Sequence, residues 1–169
     1  MSHALQAESD LRRLIAVYTD AVWRIDEAAY ADCWARQAEW KIIGMHVKGR
    51  DAIVATWKHV MADFEWTWQV QHSPVFEIQA DTAVARVYVN ETFALKSGFR
   101  GCTFGIYHDR YALEDGRWRF ASRHFDLFYF GPPDLSGRMF ARPAYGPPPH
   151  DPDPSRPATP PASELFPPG

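Results

Sequence analysis

The stretch 66–95 reads WTWQVQHSPVFEIQADTAVARVYVNETFAL, and it decides the fold. Its first half alternates. Trp66, Trp68, Val70, Phe76 and Ile78 share one parity, and Thr67, Gln69, Gln71, Ser73, Glu77 and Gln79 share the other. Successive strand side chains point to opposite faces, so the pattern predicts a strand over 66–79 whose even residues face a core or cavity. The second half repeats the alternation, with Ala83, Ala85, Val87, Val89, Phe93 and Leu95 on one face. The Ala80–Asp81 turn between the halves predicts a hairpin. Each strand carries one ionisable residue on its apolar face, His72 in the first and Glu91 in the second. An imidazole among tryptophans is costly without a partner, and a buried carboxylate pairs, shifts its pKa or works. The expected partner of His72 is Asp26, the acid that closes the first helix.

Working outward, Leu11, Leu14, Ile15, Tyr18, Val22 and Ile25 recur at helical spacing and predict that first helix. A short helix is expected over Glu27–Ala35, a strand over Ala38–Ile43, and a turn or short hairpin between Gly44 and Gly49. A third amphipathic helix is expected over Asp51–Phe64. Two further strands, Phe99–Leu113 and Arg117–Phe130, flank the turn Glu114-Asp115-Gly116. Helices first and a long, mostly antiparallel meander second is an α+β pattern. A curved sheet wrapped around N-terminal helices makes a cone-shaped α+β barrel, and the cone's mouth is the expected pocket. In the last strand Trp118 and Phe120 have one parity and Phe125, Leu127 and Tyr129 the other, so a bulge or twist lies between them. Either Arg123 or His124 then faces the cavity.

Composition bounds the rest. A chain of 169 residues that is 46% hydrophobic builds one core. Of its 14 prolines all but Pro74 lie at or after Pro132, so the domain is expected over 1–131, with 132–169 as a Pro-rich arm or tail. A net charge of −3 without long runs of one sign argues against nucleic acid and anionic membrane as partners. No apolar run approaches membrane-spanning length and the start is polar, so a cytoplasmic location is expected. Cys33 and Cys102 sit in apolar patterns as buried free thiols. His46, His59, His108 and His150 show no ligand spacing, and no phosphate loop or nucleophile motif occurs. No metal and no cofactor are therefore expected. An aromatic share of 15% suits an aromatic-lined pocket. The strands over 99–130 are apolar on both parities, so a homodimer or homotrimer joined through the sheet is expected.

The segments YTDAVWRID, YADCWARQAEWKIIGMHVKGRDAI, QHSPVFEIQADTAVARVYV and YHDRYALEDGRWRF resemble the SnoaL-like branch of the nuclear transport factor 2-like superfamily over residues 8–130. The branch includes hexachlorocyclohexane dehydrochlorinase, scytalone dehydratase and bile acid 7α-dehydratase, which eliminate HCl or water from small ring substrates without a cofactor. The resemblance implies His72 as base, Asp26 as its orienting partner, Arg123 as stabiliser of the leaving group, and Glu91 near an acidic pocket residue. It departs at Ala21, where the relatives carry a Lys or Tyr that assists the leaving group.

These observations together predict a cofactor-independent lyase, dehydratase or dehydrohalogenase in type, acting on a small apolar, aromatic or polycyclic molecule. Its catalytic residues would be Asp26, His72, Arg123 and Glu91, in a pocket of Tyr18, Val22, Trp40, Trp68, Val89 and Tyr107. Two alternatives stand beside it. One is an isomerase of the ketosteroid isomerase-like or polyketide cyclase-like type with a carboxylate base. The other is a non-enzymatic binding or assembly module.

Overall fold

The computed structural model describes residues 3–141 and 144–148. Helix α1 (His3–Arg24) buries the stripe Leu11, Leu14, Ile15, Tyr18, Ala21 and Val22, a continuous apolar face at helical spacing. Ile25 then adopts a left-handed backbone (φ 53°), and the chain restarts as α2 (Glu27–Asp32). Asp26 caps this second helix, accepting the Ala29 N–H at 3.0 Å. The helix ends three residues earlier than the sequence suggests, because Trp34 is already in strand β1 (Trp34–Ile42), opposite Phe120. A turn at Ile43–Gly44, with φ positive at both, leads into β2 (Met45–Lys48). That turn is the type whose twist suits a two-residue hairpin. Helix α3 (Arg50–Met61) follows and buries Ile53, Val54, Trp57 and Met61.

Four long strands then form the meander: β3 (Phe64–Gln79), β4 (Thr82–Leu95), β5 (Arg100–Glu114) and β6 (Arg117–Gly131). The sheet order is β2-β1-β6-β5-β4-β3. The β1–β6 pair is parallel and the other pairs are antiparallel. The result is the expected α+β cone: a curved, unclosed sheet around the helices. Its core is aromatic. Tyr30 stacks on Trp57 at 4.1 Å, and Trp34 is packed among Tyr18, Trp40 and Phe120.

Bulges decide which side chains enter the cone. In β3 the register slips between His72 and Val75, with Ser73 at φ 31°. Before the slip the odd residues Thr67, Gln69 and Gln71 face inward, opposite the inward residues Phe93, Glu91 and Val89 of β4. After it the even residues Phe76 and Ile78 do so. The expectation that even residues face the core along all of 66–79 is thus corrected: Trp66, Trp68 and His72 are exposed. A bulge shifts parity by one residue, which no single alternation pattern can record. In β6 the expected break in parity is a bulge. Phe120 and Ser122 pair with consecutive β5 residues, leaving Ala121 over.

The chain past Gly131 turns back onto the sheet. Strand β7 (Arg138–Met139) pairs with β6. The Tyr145 hydroxyl bonds the Asp126 carboxylate, and its ring lies 4.6 Å from that of His108 on the outer face. Arg86 donates to the Gly146 carbonyl at 3.2 Å. The remainder of the Pro-rich segment, 149–169, lies outside the described residues. Cys33 and Cys102 are buried and free. Among the described residues no helix is long and apolar enough to cross a membrane.

Gly105 sits at a second β5–β6 bulge, and a Cβ there would clash with the Phe125 ring and the Asp126 carbonyl. Overpacking of this kind costs about 1–3 kcal/mol. Gly105→Ala is expected to lower the urea midpoint accordingly; an unchanged midpoint would mean that the sheet yields at this bulge.

Candidate active site

The interior polar cluster starts from a directly opposed pair on β5 and β6, Asp109 and Arg123. Both are sealed from solvent. Arg123 Nε donates to Asp109 Oδ1 at 2.9 Å and Nη2 to Oδ2 at 3.0 Å, a bidentate fork. Tyr111 donates its hydroxyl to the same carboxylate at 2.9 Å. The guanidinium lies over the rings of Tyr107 (3.8 Å), Phe120 (4.2 Å) and Tyr18 (4.4 Å). Burial works against the charge on Arg123, but Asp109 beside it prevails and holds the proton more firmly than usual. Of the two residues that parity left open, Arg123 enters the cone. His124 is buried on the opposite face, 3.7 Å from Asp126.

Arg123 also donates to Gln71 Oε1 at 2.8 Å. Gln71 Nε2 in turn donates to Thr19 Oγ1 at 3.1 Å and to Gln69 Oε1 at 2.8 Å. Thr19, Gln69 and Gln71 line a groove of about 600 Å³ between α1 and β3, which is an edge strand. Ile15, Val70 and Pro74 supply apolar wall, and Trp23 meets Trp68 edge-on at 5.1 Å. The volume is in the range of small-molecule sites.

Glu91 stands across from Gln69 on the inner face of β4. Its carboxylate accepts the Thr67 hydroxyl at 2.5 Å. Burial pushes its pKa above the ordinary carboxylate range, and the Thr67 hydrogen bond only partly offsets this. Part of the residue's surface nonetheless remains open. A carboxyl in such a setting keeps its proton to higher pH than an ordinary glutamate and is a stronger base once ionised.

The structure does not bring Asp26 and His72 together. Asp26 is occupied as the α2 cap and by Arg24, whose Nη1 reaches it at 2.6 Å. The Ala29 N–H and then the Arg24 guanidinium hold its pKa below the usual range. His72 lies on the outer face, with Nε2 2.5 Å from Asn90 Oδ1. The physical reason is the Ser73–Pro74 bulge, which leaves His72 on the face opposite Gln69 and Gln71. A buried His–carboxylate pair does occur on that outer face: His108 Nε2 is 3.1 Å from Asp126 Oδ2, beneath Tyr145. Of the expected pocket residues, Tyr18, Val22, Trp40, Val89 and Tyr107 are packed into the core, and Trp68 lines the groove. The Cys33 thiol is pushed up to about 12 by burial, which rules it out as a nucleophile at neutral pH. Among the described residues no cluster of His, Cys, Asp or Glu is arranged to hold a metal.

Sequence reasoning missed Thr19, Thr67, Gln69, Gln71 and Asp109. The odd-parity run Thr67, Gln69, Gln71 was their signal, because the polar wall of a cavity alternates as a solvated face does.

Because the Asp26 pKa is depressed on folding, its stabilisation is present above the ordinary carboxylate pKa and fades as pH falls through the folded value. Asp26→Ala is expected to lower Tm at pH 7, with the deficit shrinking in acid, and Asp26→Asn to retain much of the cap. Thermal melts across that range check this, and an unchanged Tm for Asp26→Ala would remove the capping role.

Comparison with known proteins fits this architecture. A family model described as a SnoaL-like domain matches residues 3–124. A hexachlorocyclohexane dehydrochlorinase (LinA), type 2, superposes with a TM-score of 0.72 at 23% identity, covering 83% of this chain and 96% of its own. A scytalone dehydratase-like protein from Novosphingobium aromaticivorans gives 0.72 at 19% identity, covering 80% and 92%. A nuclear transport factor 2-like superfamily protein from Salmonella enterica gives 0.69 at 16%, covering 76% and 93%. At these identities the likeness is one of fold. No curated protein sequence matches the chain significantly. With the family model covering residues 3–124 of the 169, the chain belongs to the SnoaL-like domain family.

Proposed function

We propose that this protein is a cofactor-independent lyase, of the dehydratase or dehydrohalogenase type, that acts on a small apolar ring compound held between α1 and β3. The observation that carries the reading is Glu91. It is a carboxyl with a raised pKa on the inner face, directly across from a residue that lines the groove. Glu91 does not itself line the groove, but cross-strand neighbours have Cβ atoms about 4.5–5.5 Å apart, and in this reading a ligand seated on Gln69 extends over that spacing to the Glu91 carboxylate. In the reaction that carboxylate takes a proton from a C–H bond. The electron pair left behind forms a C=C bond, and the group on the adjacent carbon departs with its bonding pair. Arg123 fixes the polar wall of the site through Gln71. The dehydrochlorinase and dehydratase among the structural relatives support an elimination. Asp26 and His72, each hydrogen-bonded elsewhere, have no part in this version of the mechanism.

A second reading is favoured by one observation: the interior titratable group is a carboxyl rather than an imidazole. A ketosteroid isomerase-like enzyme would use the same proton abstraction and return the proton elsewhere on the substrate. Product mass separates the two, since an isomer keeps its mass and an elimination product loses HX.

Glu91 must be ionised to act as base, so kcat/KM is expected to rise with pH through a pKa above the ordinary glutamate range. Glu91→Gln is expected to lower kcat/KM by about 100-fold or more, measured as alkene absorbance over β-hydroxy and β-halo ring substrates. Full activity in Glu91→Gln together with loss in His72→Ala would return the base to His72. The reading also takes the protein as a homodimer or homotrimer joined through the outer face, where Trp66, Tyr88 and Phe104 are 38%, 45% and 37% exposed. A monomer mass in light scattering at micromolar concentration would exclude this.

A further inference from the structure

A guanidinium only donates hydrogen bonds. Arg123 Nη2, 2.8 Å from Gln71 Oε1, therefore fixes the Gln71 amide with its oxygen toward the cation and its nitrogen away. Gln71 Nε2 has two hydrogens, and both are used, one toward Thr19 Oγ1 and one toward Gln69 Oε1. Gln69 is fixed in turn, with its oxygen engaged and its NH2 group outward. Thr19 presents no donor of its own, since its hydroxyl hydrogen goes to the Ile15 carbonyl at 3.0 Å. The direction of the whole series thus follows from the chemistry of arginine, not from the choice between oxygen and nitrogen in an amide. It runs from a sealed cation, through two amides that polarise one another, to a terminal NH2 at the groove.

The surroundings of that NH2 group narrow what it meets. Trp23 and Trp68 are 50% and 55% exposed beside it, an apolar surface large enough to call for a cover. Ile15, Val70 and Pro74 extend the apolar wall. The nearby charges are already neutralised: Arg12 is bound to Glu8 at 2.6 Å, and Asp20 to Arg24 at 2.7 Å. This wall of the groove therefore offers ring surface and an oriented neutral donor, with the charges of α1 beside it already paired.

We infer that the groove binds flat, apolar ring compounds bearing a hydrogen-bond acceptor at the edge, such as a ring ketone or aryl halide, and that Gln69 Nε2 is the group that recognises the acceptor. The inference rests on the groove being the ligand site of the proposed enzyme, and it deepens that reading by naming the ligand class. Because Gln69 faces Glu91 across the strands, a carbonyl seated on Gln69 holds its neighbouring C–H bonds beside the carboxylate. Gln69 is then a specificity-determining residue that also polarises the bond adjacent to the proton being removed.

The test is a binding measurement that needs no turnover. Protein labelled with ¹⁵N is titrated with 2-acetylnaphthalene and with 2-ethylnaphthalene, which differ in the acceptor. The ketone is expected to bind about tenfold more tightly, the worth of one hydrogen bond, and to shift the Gln69 side-chain NH2 signals, identified by their loss in Gln69→Leu. That variant is expected to bind both compounds alike. Gln71→Glu keeps an acceptor for Arg123 but no longer donates to Gln69, and is expected to reduce the preference. Equal affinities in the unaltered protein, or a preference that survives in Gln69→Leu, would overturn the inference. If Gln69→Leu does not fold, the absence of a ketone-specific shift in the unaltered protein overturns it instead. The outcome is separable from the lyase reading: an active Glu91→Gln with the ketone preference intact sinks the lyase alone, and equal affinities with an inactive Glu91→Gln sink this inference alone.

Discussion

The interior is organised by one ion pair. Placing a guanidinium and a carboxylate in a dry core carries a penalty of several kcal/mol per ion, offset only by close geometry and full hydrogen bonding. Arg123 and Asp109 answer most of that demand with a bidentate fork, the Tyr111 hydroxyl and the Gln71 carbonyl, while Arg123 Nη1, without a hydrogen-bond partner among the described residues, is left to the three aromatic faces. Each partner is thereby constrained. Gln71 must enter the cone, so β3 must present its odd residues until the Ser73–Pro74 bulge. Arg123 must enter as well, so β6 needs its extra residue at Ala121 to place both Phe120 and Arg123 inside. The bulges, the inward polar wall and the aromatic packing are different views of one requirement.

Glu91 sets stability against ionisation. Its pKa is raised in the folded state, so its contribution favours folding while it is protonated and is lost as pH rises through the folded value. The proposed chemistry needs the ionised form. The Thr67 hydroxyl eases the conflict, because a hydrogen bond donated to the carboxylate lowers the cost of charge where water is scarce. Strain of this kind is tolerated at functional sites because the surrounding fold supplies the stability.

Much of the fold was legible because its signals are local. The apolar stripe from Leu11 to Val22, the Asp115–Gly116 turn and the alternation from Ala83 to Phe93 each map onto an element whose side chains face where expected. Even the bulge in β6 could be read from the clash of parity between Phe120 and Phe125. The site was harder for a physical reason. Alternation reveals which residues share a face, not which face is inside. Tryptophans on Trp66 and Trp68 argued for the even face, whereas the structure buries Thr67 and turns Gln69 and Gln71 inward. Asp26 shows a second limit. A helix cap and a partner for a catalytic histidine call for the same residue type, and only geometry tells them apart. Glu91 stood out because charge on an apolar face is unusual whichever way a strand is turned, whereas Arg123 came from the resemblance, with parity leaving it open against His124.

The break in β3 has a consequence for the molecule among its neighbours. Among the described residues β3 is the margin of the sheet, and a strand of 16 residues with one edge unpaired invites another extended chain to add to it. Pro74 has no N–H to offer such a chain, and the left-handed turn at Ser73 interrupts the straight run on either side. What remains is two separate stretches, 64–72 and 75–79, that cannot continue one ladder between them. The same kink that turns Gln69 and Gln71 toward the groove thus keeps an added chain from pairing along the whole length of the strand beside it.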